Sequence, residues 1–331
     1  MLSVLLAGVL VVSAANGQFA TTPGDVLGSL WRAVTGTREE STAMLDATLW
    51  NVRFPRLLLG VVVGAALAVA GAVMQGVFGN PLAEPGVIGV SSGAAVGACL
   101  VIVFGLGAAS PLILPLAAFL GGLLVTWLVY LLARSGNRSM VLTLVLTGIA
   151  VNAEAGAAIS FLVFLADTAS REQIVFWQMG SLNGSTWTAV ATSAVVLGAG
   201  FGGAALLLRQ LDLLSLGERA ARHAGVDVER LRIGAILCVA LLTSAAVAFA
   251  GIIGFVGLIV PHALRLVTGP SHRSLVPLSA LGRALLLSVA DLTVRTAIPF
   301  ADLPIGIFTA VVGGPVFFIL LRHTLKKQGM L

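Results

Sequence analysis

Apolar runs long enough to cross a bilayer recur along almost the whole chain, and nothing else in the sequence constrains its fold as strongly. Leu57 to Val73 is a continuous example, without a single charged or polar side chain. A helix needs about 20 such residues to span the hydrocarbon layer, whereas a barrel strand would show about 10 residues of alternating polarity. Charge tells the same story: the 331 residues hold only 19 Lys+Arg and 14 Asp+Glu. A soluble surface needs about 25% charged residues. Water-soluble globular, disordered and disulfide-scaffold classes are therefore excluded, leaving an all-α integral membrane protein.

Hydropathy together with Gly, Pro and charge punctuation predicts ten spans, near 2–16, 57–77, 87–106, 111–133, 141–165, 188–208, 233–250, 254–268, 275–294 and 304–322. The stretches Gly79 to Gly93 and Gly251 to Pro261 are broken by Gly and Pro, and irregular backbone at membrane depth is tolerated only inside the protein. Met1 to Val12 lacks the basic start of a signal peptide and reads as a first span. One set of loops carries Arg134, Arg138, Arg209, Arg219, Arg222, Arg230, Arg232, Arg273, Arg322, Lys326 and Lys327. The opposite set carries only Arg32, Arg38, Arg53, Arg56, Arg171 and Arg295. The heavier set is expected to be cytoplasmic, with both chain ends on that side. The net charge of +5 thus biases orientation and does not indicate nucleic acid. Cys99 and Cys238 lie in apolar segments without CxxC spacing and read as buried thiols, not as a metal or redox pair.

The 39 glycines suit close helix packing, as at Gly60-xxx-Gly64 and Gly89-xxx-Gly93, although a smooth pathway wall would use the same residues. The longest polar interruption, 209–232, exceeds the 2–8 residues a plain connector needs. Ser215 and Glu218 suggest a capping box, Leu216, Ala220 and Ala224 an apolar stripe, Gly225 a stop, and Asp227 the cap of a following helix. Such a unit either lies on headgroups or docks a partner.

Arg53-Phe54-Pro55-Arg56 precedes the second span, and Arg295 ends the ninth. These guanidiniums either snorkel to headgroups or grip carboxylates on a partner. Glu84, Glu154, Arg265, Arg283 and Asp291 fall within spans and are candidates for function. Asp291 is expected to pair with a neighbouring helix. Glu154 would face either a central axis or an internal partner.

Long ordered motifs over roughly 50–331 carry a family resemblance: RFPR at Arg53, GAALAVAGAVMQGVFGNPLAEPGVIGVSSGAAVG from Gly64, WQMGSL at Trp177, SLGERAARHAGVDVERLR from Ser215, GIIGFVGLIVPHALRLVTGPSHR from Gly251, ADLTVR from Ala290, and DLPIGIFTAVVGGPVF from Asp302. The chain resembles the FecCD-type permeases of ATP-binding cassette importers, which import iron-siderophores, haem and cobalamin. The resemblance implies a single permease domain over 1–331 with the type II importer fold. It also implies a homodimer with the pathway on its axis, two ATPase subunits at the cytoplasmic face and a periplasmic binding protein, in a bacterial inner membrane. By the same resemblance Ser215, Leu216, Gly217, Glu218, Arg219, Ala220, Arg222, His223, Ala224 and Gly225 form the coupling element. Arg53, Arg56 and Arg295 would receive glutamates of the binding protein.

No GxxxxGK[ST] occurs, so ATP and Mg belong to a partner subunit, and this chain is expected to be non-catalytic, with no cofactor or metal of its own. Ser139, Met140, Val141 and Leu142 match the inner gate region of relatives. The segment Phe176 to Leu182, preceded by Arg171, looks closest to the haem branch, with Arg171, Trp177 and Met179 as candidates for a substrate mouth. His223, His262, His272 and His323 map toward the cytoplasmic side, so none is placed to ligate haem iron in the outer half. Siderophore or cobalamin import is the alternative within the family. An ion-coupled secondary transporter would show paired midplane carboxylates, and an intramembrane hydrolase a Ser/His, double-Asp or HExxH set, none of which is evident.

Overall fold

The computed structural model describes residues 1–37, 40–135, 138–139, 141–254, 256–298 and 303–327. In chain order its helices are α1 (Leu2–Ala15), α2 (Pro23–Thr35), α3 (Ala43–Thr48), α4 (Phe54–Phe78), α5 (Val90–Val103), α6 (Ile113–Ala133), α7 (Val141–Leu165), α8 (Thr168–Gln178), α9 (Trp187–Leu214), α10 (Glu218–His223), α11 (Val228–Ala250), α12 (Val256–Thr268), α13 (His272–Ala297) and α14 (Ile305–Lys327). A two-residue antiparallel pairing, Arg134–Ser135 with Arg138–Ser139, follows α6. Each of the ten expected spans corresponds to one helix of this series. Among the described residues six helical runs are long and apolar enough to cross a membrane, and four shorter apolar helices, α1, α5 and parts of α12 and α14, stand beside them.

The second span begins earlier than the expected 57, because α3, a π-helical turn over Leu49–Arg53 and α4 run on as one helix from Glu40 to Phe78. Pro55 stands inside this continuous run, directly after the π-helical turn in which Phe54 N bonds the Leu49 carbonyl five residues back, and this locally altered ladder accommodates a residue without an N–H. The sixth span runs on to Leu214 instead of ending near 208, since Arg209 and Asp212 sit on continuous helix past the apolar core.

The middle of the bundle is α4, which packs against α9, α11, α12 and α13. Small residues make this possible. A Cβ on Gly64 would stand 3.1 Å from both Ala284 Cα and the Arg283 carbonyl of α13. Gly93 and Gly97 of α5 lie directly on the Gly121 and Ala117 carbonyls of α6, so the two backbones touch. The seams expected at Gly64 and Gly93 are thus real packing contacts. Gly60 faces the Leu182 side chain, and Gly89 has φ +80 where the chain turns into α5.

The first expected break is present, and the second is shorter than the expected Gly251 to Pro261, since α12 runs on through Pro261. After α4 the chain turns through Gly79, Asn80 and a 3₁₀ turn at Pro85–Ile88 before α5, and Gly251 to Gly254 are non-helical between α11 and α12. Asn152 of α7 secures the first break, donating to the Gly86 carbonyl at 3.1 Å and accepting from Ser92 Oγ at 2.6 Å. By contrast α7 and α9 bury little of themselves in the subunit and offer broad outward faces.

Candidate functional site

At one end of the bundle α9 hands over to α10. Ser215 closes α9, donating its hydroxyl to the Asp212 carbonyl at 2.6 Å. The capping box expected from Ser215 and Glu218 therefore does not form: Gly217, at φ +108, makes the turn and α10 starts at Glu218 without a side-chain cap. Glu218 instead pairs with Arg222 at 2.7 Å and lies 3.8 Å from Arg232. Gly225 takes φ +83 after the helix, and Asp227 caps α11 by accepting the Arg230 amide at 3.1 Å, both as expected. Ala221 is the buried residue of α10, while Leu216, Ala220 and Ala224 are exposed. The apolar stripe thus faces away from the subunit, with Arg219, Arg222 and His223 beside it.

Beside this element lies a contact the sequence did not advertise. Asp212 Oδ1 accepts the His272 backbone amide at 2.5 Å and stands 3.0 Å from its Nδ1, joining the end of α9 to the start of α13. The His272 ring is buried directly over Gly76 of α4, which has no side chain to displace it. Only an aspartate inside an otherwise apolar helix end hinted at this.

At the opposite end Arg53 and Arg295 hold the carboxyl end of α1, and Arg56 is linked to Arg295 through Asp291. Arg53, 5% exposed, donates to the carbonyls of Ala14 and Phe19 and to the Thr21 hydroxyl. Arg295 donates to the Asn16 carbonyl at 2.9 Å and to the Ser13 carbonyl and hydroxyl. Arg56 Nε is 2.8 Å from Asp291 Oδ1, and Arg295 Nε is 3.4 Å from Asp291 Oδ2. Carbonyls at a helix carboxyl end lack intrahelical partners and carry partial negative charge, so cations there are favourable. All three guanidiniums thus have partners within the chain, Arg53 the most deeply buried of them. Asp291 does pair with a neighbouring helix, as expected.

The WQMGSL segment meets two other loops through backbone alone. Ser181 N donates to the Ala250 carbonyl at 2.8 Å and Gly306 N to the Met179 carbonyl at 3.0 Å. Gly180 at φ +68 and Gly251 at φ +67 allow carbonyls of Ile252 and Trp177 to approach where a Cβ would clash. Trp177 packs against Ala94, Ala98 and Val247, whereas Met179 is exposed. Arg171 donates to the Val163 carbonyl at 3.1 Å and the Phe164 carbonyl at 3.4 Å, closing the end of α7. Of the three expected mouth residues, Arg171 and Met179 are exposed and Trp177 is half-buried.

Around the expected inner gate, Ser139 lies in the short strand pair, Val141 and Leu142 open α7, Leu142 is exposed, and Met140 lies outside the described residues. Glu154 is exposed on the outward face of α7, midway along the helix. Among the described residues no group of three or more His, Cys, Asp and Glu could hold a metal.

Comparison with known proteins agrees with this geometry. Residues 5–323 match the FecCD transport family. The chain is 43% identical over 291 residues to the hemin transport system permease protein HmuU of Yersinia pestis, covering 85% of each chain. It is also 43% identical over 278 residues to the vitamin B12 import system permease protein BtuC of Vibrio cholerae, covering 82% of each. Among solved structures, a metal-chelate type ABC transporter in an inward-facing conformation superimposes with a TM-score of 0.85 at 33% identity, over 97% of both chains.

Proposed function

This chain belongs to the FecCD transport family of ABC importer permeases, and on that premise we propose that it conducts haem across the bacterial inner membrane by alternating access. The Phe176 to Leu182 segment carries the reading, together with the match to a hemin permease over most of both chains. Cobalamin is the second reading, favoured by the equal identity to a vitamin B12 permease. Ferric siderophores are the third cargo class of the family.

Two copies of the chain form the pathway on their common axis, two ATPase subunits hold ATP and Mg, and a periplasmic binding protein delivers cargo. Both termini and α10 are cytoplasmic. The outward stripe of Leu216, Ala220 and Ala224 supports docking of α10 on the ATPase, since an apolar face on a short surface helix is satisfied by a partner. ATP-driven closure of the ATPases would move α10 and repack the axis, opening one gate as the other shuts. Arg56 and Arg295 receive carboxylates of the binding protein at the edge of their network with Asp291. Arg53 supports them from beneath, through the carboxyl end of α1. Val141 and Leu142 stand at the inner gate and Met179 at the mouth.

Reconstitution with the cognate ATPase and binding protein tests this directly. ATP-dependent haem uptake is expected. Uptake of cobalamin or a ferric siderophore alone would replace the cargo and leave the transport class standing.

A further inference from the structure

Between the first and second spans lies helix α2, which is not itself a span. Helix α2 opens with a full capping box: Thr22 Oγ1 accepts the Asp25 amide at 3.2 Å, and Asp25 accepts the Thr22 amide at 2.8 Å. It ends at Gly36 with φ +72. At 13 residues it is too short to span a bilayer.

Its surface divides into three sectors. Val26 and Ser29 are buried against the rest of the protein. Asp25, Arg32 and Thr35 form a polar sector, with Arg32 paired to Asp46 at 2.7 Å. Between these, Leu27, Leu30, Trp31 and Val34, spaced i, i+3, i+4 and i+7, form one continuous apolar stripe. It is not covered by the subunit: Leu27 is 57%, Trp31 69% and Val34 84% exposed.

The surroundings identify what covers it. α1 carries only Ser3 and Ser13 among apolar residues, and its Val4, Leu5 and Val12 are exposed, the surface that the expected first span would turn to hydrocarbon. α2 packs on α1, and between them opens an almost wholly apolar cavity of ≈ 250 Å³, lined by Leu10, Val11, Leu30, Phe54, Leu58 and Trp187. The stripe and the cavity therefore continue the lipid-facing surface of α1. At the same level Trp50 and Trp187 stack, with centroids 6.1 Å apart, and direct their N–H groups to Ser29 Oγ and the Trp50 carbonyl. Tryptophans with an apolar ring and a satisfied polar edge gather at the membrane–water boundary.

We propose that α2 lies in the membrane interface as an amphipathic anchor, its Leu27–Leu30–Trp31–Val34 stripe in the acyl region, and that a phospholipid acyl chain of that leaflet occupies the cavity beneath it. The polar sector then faces headgroups and water, with Arg32 paired to Asp46 and Asp25 bonded to Thr22.

Nitroxide labels at Leu27→Cys, Trp31→Cys and Thr35→Cys, in full-length protein carrying Cys99→Ala and Cys238→Ala and reconstituted in phosphatidylcholine/phosphatidylglycerol vesicles, test the first half. The oxygen-to-nickel-chelate accessibility ratio should be about fivefold higher at the first two positions than at the third, as expected for side chains below the headgroups. Equal, water-like ratios would overturn the proposal, as would shielding from both probes, which would mean a protein partner covers the stripe. For the cavity, a variant with Trp31, Trp127 and Trp177 replaced by Phe keeps only Trp50 and Trp187. Brominated acyl chains should quench its fluorescence more than twofold. Quenching by aqueous iodide alone would exclude the acyl chain.

Discussion

Asp291 Oδ1 lies 2.8 Å from Arg56 Nε although the two residues stand 235 positions apart in the chain. α4 and α13 pack along each other and meet at this pair. Both side chains are largely buried, and the same carboxylate faces Arg295 one turn later on α13. Removing the carboxylate would leave two guanidiniums crowded in a poorly solvated site.

Asp291→Ala is accordingly expected to destabilise the protein by about 3–5 kcal/mol, the range for breaking one side of a buried pair. Thermal unfolding in detergent would read this as a clear fall in Tm. Asp291→Leu combined with Arg56→Met should recover much of the loss. A double variant no better than the single would show that Arg56 is not the partner that matters.

Gly97→Ala should cost about 1–3 kcal/mol, because its methyl group would have to displace the Ala117 carbonyl and separate α5 from α6. Gly198→Ala, in α9 with open space around it, should be neutral or stabilising by up to about 1 kcal/mol. Equal effects at the two positions, measured by the same melting assay, would remove the close-packing account.

Leu216 is 72% exposed on the α10 stripe, so Leu216→Asp should leave the melting temperature unchanged. Binding of the ATPase subunits, followed by co-purification and titration, should weaken at least about tenfold, equivalent to about 1.4 kcal/mol. Undiminished assembly would put the docking surface elsewhere.

Glu154 stands exposed midway along an apolar helix. A charged side chain facing hydrocarbon is costly, so this edge of α7 should face water or a second copy of the chain. In a background without Cys99 and Cys238, Glu154→Cys is expected to react with a charged, membrane-impermeant thiol reagent, and ATP should change the rate. Complete protection in every state would place this edge against lipid or a sealed interface.

Hydrogen bonds from the Thr22 amide and hydroxyl hold the Asp25 carboxyl below its ordinary range. A depressed pKa means stability that is present above the unfolded value and lost as pH falls through the folded one. Acidification past the usual carboxylate range should therefore fray the first turn of α2, seen as faster amide exchange at Asp25 and Val26. Asp25→Asn should abolish that pH dependence.

The spans were legible because a bilayer makes length and apolarity nearly sufficient evidence. Their ends were less so. Arg209 looks like the end of a span, yet a helix passes readily through one arginine at the membrane boundary, and this one continues to Leu214. The same continuation made the Ser215-x-x-Glu218 pattern misleading, since the serine was already the end of one helix when it looked like the start of another. The three arginines were found by type and position. The attachment of Arg53 and Arg295 to Ser13, Ala14 and Asn16 was not, because those contacts reach mainly backbone carbonyls, which carry no sequence signal. Helix α2, at 13 residues, is too short to stand out by length and apolarity, although the sequence carries its i, i+3, i+4, i+7 stripe.

Only Ser215, Leu216 and Gly217 separate the end of α9 from the start of α10, and only four residues, 224–227, separate α10 from α11. There is no slack to absorb movement. A displacement imposed on α10 is delivered undamped to two long helices that both pack on α4, so the short helix works as a crank set between two rods. Lengthening either junction would leave every contact surface intact and still disconnect the stroke.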